Sequence, residues 1–273
     1  MLPKLTCIIL NYKNAADTLG CLESLRSSDL GRQIDYLIVD NSANEIPANE
    51  IRHSIPRKSL IENHRNLGFA GGNNVAIRQA IKSKAEYILI INPDVRVEKN
   101  FFKPLLKHFS GQVGIVAPAI KHFQKNKQFF GLDGKVDWTL AKPEHKNLRF
   151  LPDKSPINAE FVTFACVLIS ADTIKRAGLL DEGYFMYFED VDYCLTARQK
   201  GIGIILDPKV TVSHKTSSSF KSPTGKLPIS FKSHLRFIFK WLKFPHLIKP
   251  LFYVLFLYPY LYLLWTYHSI KYK

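Results

Sequence analysis

Three acids fall close together at Glu189, Asp190 and Asp192, inside the run Tyr184-Phe185-Met186-Tyr187-Phe188-Glu189-Asp190-Val191-Asp192-Tyr193-Cys194. On a helix, residues i and i+2 diverge, so Asp190 and Asp192 cannot share a face. The pattern turns Glu189 and Asp190 toward a cleft and sends Asp192 elsewhere. A carboxylate with an apolar surround is a sound general base, because partial desolvation raises its basicity. A helix start whose acids offset the macrodipole gives the same pattern.

Two further acids stand at the ends of apolar runs. Asp40 follows Leu37-Ile38-Val39, and Asp94 follows Ile88-Leu89-Ile90-Ile91-Asn92-Pro93. Open α/β sheets bind ligands beyond the carboxyl ends of their strands, although Asp also caps helices and starts turns. Between them lies Asn66-Leu67-Gly68-Phe69-Ala70-Gly71-Gly72-Asn73-Asn74. Its glycines permit close backbone approach, and a helix start beyond them offers free N–H groups to an anion. A glycine-rich turn and helix cap reads equally well. The run lacks the spacing of a dinucleotide loop and the Gly-Lys-Ser/Thr of a P-loop. His214 follows another apolar run. Set opposite Asp94, it would complete an imidazole and carboxylate pair that suits Mn²⁺ and tolerates Mg²⁺. A contact to a diphosphate is its other use.

The elements that must position these residues alternate. Leu5–Leu10, Tyr36–Val39, Ser59–Glu62, Tyr87–Ile91 and Val113–Ala117 read as strands, and 15–27, 70–82 and 98–108 as helices. Such βαβ alternation predicts an open, mostly parallel sheet flanked by helices. Residues 119–158 read as a loop-rich excursion with a hairpin. Phe161–Ser170, Gly203–Leu206 and Val210–Ser213 read as strands, and Asp190–Lys200 as a helix ending at Gly201.

The net charge of +15 is unevenly placed. No acid follows Asp207, and eleven Lys and Arg do, so residues 1–207 carry only +4. Such a tail suits anionic lipid headgroups or nucleic acid. Ile229–Leu242 sets Phe231, Leu235, Ile238, Phe239 and Leu242 against Lys232, Arg236, Lys240 and Lys243, a basic amphipathic helix of the kind that lies in a membrane interface. Leu251–Tyr267 is charge-free and rich in Tyr, with Pro259 inside it. It is short for spanning ~30 Å of hydrocarbon, and Tyr and Trp prefer the headgroup level. Together these predict an enzyme-like body over 1–215 and a membrane-associating tail over 216–273, with lipid and not nucleic acid as the tail's partner. Cys7, Cys21, Cys166 and Cys194 form no CxxC pair and read as reduced core thiols, which fits the cytosolic side of a membrane. Leu5–Leu10 is too short for a signal-peptide core.

Taken in order, Asn11-Tyr12, Val39-Asp40-Asn41-Ser42, Asn66–Asn74, Asn92-Pro93-Asp94 and Phe185–Leu195 resemble the motifs of glycosyltransferase family 2, most closely its rhamnosyltransferase-type branch. The resemblance covers about residues 5–215. It implies a GT-A, Rossmann-like fold and an inverting sugar transfer. It implies that Asn11, Asp40, Asn66, Gly71, Asn74 and Asn92 serve the nucleotide-sugar, with Asp40 on the nucleobase. Asp94, with His214, would hold a divalent metal, Mn²⁺ or Mg²⁺. Asp190 would be the catalytic base, oriented by Glu189. The branch points to L-rhamnose from dTDP-rhamnose, and UDP-hexose and UDP-galactofuranose fit the same motifs. A lipid-linked glycan of a surface polysaccharide is the acceptor that the tail suggests. A nucleotidyltransferase would need a Gly-rich, basic loop after the first strand, where this chain has Asn11-Tyr12-Lys13-Asn14-Ala15-Ala16.

Overall fold

The computed structural model describes residues 3–42, 49–124, 127–151, 155–215 and 223–271. Lys221 and Lys273 of the basic tail, and the segment 216–222 that joins the tail to the body, lie outside the described residues.

The first part of the chain alternates as its apolar runs require. β1 (Leu5–Asn11), α1 (Ala15–Arg26), β2 (Asp35–Asp40), α2 (Asn49–Ser54), β3 (Leu60–Glu62), α3 (Gly68–Lys82) and β4 (Tyr87–Ile91) follow in order. Their strands lie side by side as β3-β2-β1-β4, all parallel. β1 is buried on both faces, with Ile8 in one hydrophobic cluster and Cys7 and Ile9 in the other. That explains its continuous apolar run.

The rest of the sheet is mixed. β5 (Val95–Val97), α4 (Phe102–Leu106), β6 (Val113–Gln124), β7 (Lys127–Asp137), β8 (Lys142–Leu148), β9 (Ile157–Asn158), β10 (Cys166–Ser170), α5 (Ala171–Ala177), α6 (Glu189–Gln199) and β11 (Gly203–His214) complete the body. β10 runs antiparallel to both β4 and β6, which makes the α/β sheet mixed beyond its parallel half. The apolar run from Phe161 supplies only β10 as strand. Phe161 and Phe164 are buried as irregular core instead.

Three further expectations change. The helix expected over 98–108 shrinks to α4, because β5 pairs with β11 just before it. Asp29 fixes where α4 begins, its carboxylate accepting the N–H groups of Phe101, Phe102 and Lys103. The excursion over 119–158 is mainly strand, with β6, β7 and β8 forming an antiparallel set. Its exposed Lys, Gln and His side chains hide the strand period. Gly203–Leu206 and Val210–Ser213 join in one strand, β11, bulged between Asp207 and Thr211 where Pro208 cannot donate to the ladder.

Two helices close the chain, α7 (Leu227–Trp241) and α8 (Ile248–Lys271). α7 buries Phe237 and Ile238 against the body. Arg236 and Lys240, expected to meet lipid, instead face the body. Arg236 donates to Asp181 at 2.7 Å, and Lys240 to Asp181 at 3.0 Å and to Asp192 at 2.7 Å. The amphipathic period is real, but two of its four basic residues, Arg236 and Lys240, are paired with protein carboxylates. α8 is long and apolar enough over Ile248–Tyr267 to cross a membrane, by length and composition, and only 11% of that window is buried.

Candidate active site

One cavity of about 980 Å³ opens over the carboxyl ends of β1, β2 and β4. The parallel half delivers Tyr12, Asn14, Asn41, Asn66, Asn92 and Asp94 to it. The start of α6 delivers Glu189 and Asp190. α7 and α8 roof it with Ser230, His234, Tyr253 and Tyr258.

Asp94 and His214 meet through strand pairing. β11 pairs antiparallel with β5, setting His214 opposite Val95. Lys215 N–H donates to the Asp94 carbonyl at 3.0 Å. The His214 Nε2 then lies 3.1 Å from Asp94 Oδ1, with both side chains largely buried. Among the described residues no group of three or more His, Cys, Asp or Glu side chains forms a metal cage. Mg²⁺ and Mn²⁺ keep several ligand positions for water or substrate phosphate and need only one or two protein groups. The pair therefore fits a divalent cation that shares its ligation with a phosphorylated ligand.

The acids of α6 divide by face. Glu189 and Asp190 line the cavity, while Asp192 points to α7. Tyr187 and Phe188 precede the helix with φ of 73° and 70°. Two successive left-handed non-glycine residues are costly and mark a segment held by its surroundings. Here the hold is visible. Phe69 N–H donates to the Phe185 carbonyl at 2.7 Å, Ser233 Oγ donates to the Met186 carbonyl at 2.8 Å, and the Phe188 ring lies 4.8 Å from that of His234.

Burial raises the pKa of Glu189 well above the ordinary glutamate value, with the neighbouring Asp190 charge adding to it. Among the described residues its Oε2 has no hydrogen-bond partner. Burial also raises Asp190, opposed by His145 and by the N–H groups of Val191 and Phe164. The adjacent carboxyls titrate as a pair that holds a proton above the usual acid range. The sign for stability follows. The folded state keeps the Glu189 proton to higher pH than the unfolded chain, so wild-type stability falls as pH rises from the ordinary glutamate range. Glu189→Gln should remove that loss. We expect a gain in Tm at pH 8 that shrinks with falling pH and vanishes near pH 4. Thermal melts across this range check it; a constant offset would locate the gain elsewhere.

Of the glycine-rich segment, Asn66, Gly68 and Phe69 line the cavity, and Gly68 and Gly72 are also required by packing. Gly68, at φ +71°, lies where a Cβ would sit 2.2 Å from the Phe185 carbonyl, and a Cβ on Gly72 would meet Leu10 at 2.5 Å. Only glycine lets α3 dock this tightly on β1 and on the segment before α6. Gly71, Asn74, Asn11 and Asp40 are not among the cavity-lining residues. Asn74 ties α3 to the loop before α6, donating to the Leu180 carbonyl and accepting from the Leu180 N–H. Asn11 Nδ2 donates to Asp40 Oδ1 at 2.8 Å, and both are buried behind the cavity edge. Asn41, one residue past Asp40, holds that edge. It donates to Asn66 Oδ1 at 2.8 Å and accepts from Leu67 N–H at 3.1 Å. His145 and Lys142 of β8 also reach the cavity, and nothing in their sequence context announces it.

The chain matches the family described as glycosyltransferase like family 2 over residues 3–238. It is 27% identical to the low-salt glycan biosynthesis hexosyltransferase of Haloferax volcanii, over 75% of this chain and 64% of that protein. The chain thus spans a little under two thirds of that relative's length. It is 22% identical to the dTDP-rhamnosyl transferase of Shigella flexneri, over 76% and 67% of the two chains. It is also 22% identical to the N-acetylglucosaminyl-diphospho-decaprenol L-rhamnosyltransferase of Mycobacterium tuberculosis, over 76% and 75%. Among solved structures it superimposes on GalNAc-T7, solved with UDP, GalNAc and Mn²⁺, at a TM-score of 0.66 and 14% identity, over 88% of this chain and 48% of that one. A mannosyltransferase from Pyrobaculum calidifontis, solved with GDP-Man and Mn²⁺, gives a TM-score of 0.58 at 14% identity, over 93% and 69%. The likeness establishes the GT-A fold that the motifs implied. With most of its length inside the match, including the parallel half and the four acid and histidine side chains of the cavity, Asp94, Glu189, Asp190 and His214, the chain belongs to glycosyltransferase family 2.

Proposed function

We propose that the protein is an inverting glycosyltransferase that moves a sugar from a nucleotide-diphosphate donor to a hydroxyl of a lipid-linked glycan. The observation that carries this is the sharing of one cavity by the Asp94–His214 pair and the Glu189–Asp190 pair. These residues lie far apart in the chain and meet only in this fold.

In this reading the nucleotide occupies the wall made by Tyr12, Asn14, Asn41 and Asn66. Asn11 and Asp40 act from behind it by fixing the strand ends. A divalent cation bound at Asp94 and His214 would supply Lewis-acid neutralisation of the departing diphosphate. Asp190 takes the proton of the attacking hydroxyl. The acceptor oxygen bonds to the anomeric carbon as the bond from that carbon to the diphosphate oxygen breaks, and the electron pair leaves with the nucleotide. Attack from the far face inverts the centre, so no second nucleophilic carboxylate is needed. Glu189, raised by burial, stays protonated beside Asp190 and spares it a second negative charge.

The dTDP-rhamnosyl donor named for one relative and the L-rhamnosyl group named for another support rhamnose from dTDP-rhamnose, and the hexosyltransferase relative supports a hexose. Membrane placement rests on α8 and its neighbourhood. Phe239, Phe244, Phe252, Phe256 and Leu263 are all exposed, with Lys243 and Lys249 beside them. Such a strip buries well in an acyl boundary, with lysines at anionic headgroups. The buried, unpaired cysteines suit the cytosolic side.

A donor panel read by thermal shift tests the assignment. At about 100 times its Kd, a true donor should add ~2.7 kcal/mol and raise Tm by about 5–10 °C, with Mn²⁺ present and far less without it. Asp94→Ala should erase the Mn²⁺-dependent part. A shift that ignores both the metal and residue 94 would remove the metal site from the reading.

A further inference from the structure

The roof of the cavity holds a hydrogen-bonded series, Ser230–Tyr258–His234, whose direction we infer from the backbone carbonyl at its far end. His234 Nε2 lies 3.0 Å from the Ala141 carbonyl, in β7–β8 connecting backbone. A carbonyl only accepts, so Nε2 carries the proton. His234 is buried, and burial lowers its pKa to about 4, which keeps the ring neutral. Its Nδ1 is therefore an acceptor, 3.4 Å from the Tyr258 hydroxyl. Tyr258 donates to Nδ1, which commits its only proton. Ser230 Oγ, 2.9 Å from Tyr258 Oη, must then donate to it. With its own proton used, Ser230 Oγ keeps lone pairs and nothing to give. Ser230, His234 and Tyr258 all line the cavity.

We propose that this Ser230–Tyr258–His234 relay reads the acceptor sugar, with Ser230 Oγ accepting a hydrogen bond from a hydroxyl of the glycan held beside Asp190. The relay belongs to α7 and α8, and the nucleotide wall belongs to the parallel half. It therefore faces the reactant that arrives from the other side. A committed acceptor selects a donor hydroxyl and penalises a sugar with a deoxy position there, because the site's polar group is left unpaired. The same α8 turns Tyr253, Leu257 and Tyr258 to the cavity and Phe252, Leu255 and Phe256 outward. An amphiphilic acceptor can thus place its sugar on the inner face while its lipid lies along the outer one.

This inference rests on the glycosyltransferase reading, and the experiment separates the two. Octyl glycosides of hexoses and N-acetylhexosamines serve as acceptors with the donor panel, together with the monodeoxy forms of whichever is used. Ser230→Ala and Tyr258→Phe are each expected to raise the acceptor KM three- to tenfold, with kcat changed less than twofold and the Kd for nucleoside diphosphate unchanged. One monodeoxy acceptor should show that loss with wild type and no further loss with Ser230→Ala, the non-additivity of two groups in contact. Equal penalties from Ser230→Ala on every deoxy acceptor, an unchanged KM, or a matching fall in nucleotide affinity overturns the proposal. So does a wild type that hydrolyses its donor yet glycosylates no octyl glycoside. A wild type that neither binds nor hydrolyses any nucleotide-sugar overturns the glycosyltransferase reading instead.

Discussion

Asp190→Asn is expected to lower kcat by about 10²–10⁴, the range over which a positioned base contributes, while the Kd for nucleotide-sugar stays within about twofold. Asparagine keeps the volume of the side chain and can still accept the Val191 N–H through Oδ1, as Asp190 does at 2.8 Å. It cannot accept the acceptor's proton. The proposed nucleotide wall of Tyr12, Asn14, Asn41 and Asn66 lies on other elements than α6. The pH profile adds an independent check. Because burial raises both carboxyls, kcat should climb with pH through an acid limb above the ordinary aspartate range, and the limb belongs to the pair. Steady-state rates over pH 4–8, with calorimetric titration of the nucleotide, measure both. An equal loss of nucleotide affinity would make Asp190 a binding or folding group.

The second large effect is on stability. Asp192→Ala should cost roughly 2–4 kcal/mol, the range for stripping a buried, hydrogen-bonded carboxylate from its partners. Asp192 is 2% exposed. It accepts from Trp241 Nε1 at 2.8 Å, Lys240 Nζ at 2.7 Å and Tyr184 Oη at 3.2 Å. Alanine leaves the indole and phenol donors unpaired; Lys240 retains Asp181 and solvent, which keeps the cost below that of a fully enclosed ion pair. For a chain of this size the loss lowers Tm by roughly 5–10 °C. Lys240→Met, which removes the opposite charge, should recover none of it, since the two neutral donors remain orphaned. Denaturant melts of the two single variants and the double variant measure this. A single-variant cost under 0.5 kcal/mol would show that α7 is held by its apolar side alone.

Much of the site could be read from residue types. Asp94, His214, Glu189 and Asp190 were legible because strand ends and a helix start are where a folded sheet can present charge, and the structure gathers all four at one cavity. The parallel half was legible because strands buried on both faces leave unbroken apolar runs. What stayed hidden depended on partners far along the chain. His145 sits on β8, in a segment whose exposed polar face masks its strand period. Asn41 looks like any turn residue until Asn66 and Leu67 arrive to bond it. Gly71 and Asn74 carry the look of a ligand loop, yet of that segment it is Asn66, Gly68 and Phe69 that line the cavity, while Asn74 bonds Leu180 and Gly72 packs on Leu10. The basic stripe of α7 suggested lipid because sequence shows a cation without the carboxylates of residues 181 and 192 that answer it.

The two-faced α8 has a consequence for encounter rates. On the proposed membrane placement, a water-soluble donor must find the enzyme through three-dimensional diffusion, whereas an acceptor anchored in the same leaflet would search only a plane. Confinement of that kind raises effective concentration without any added contact. Dispersing the reactants in detergent would abolish it, so the apparent acceptor affinity should depend on surface density in vesicles, and the donor affinity should not.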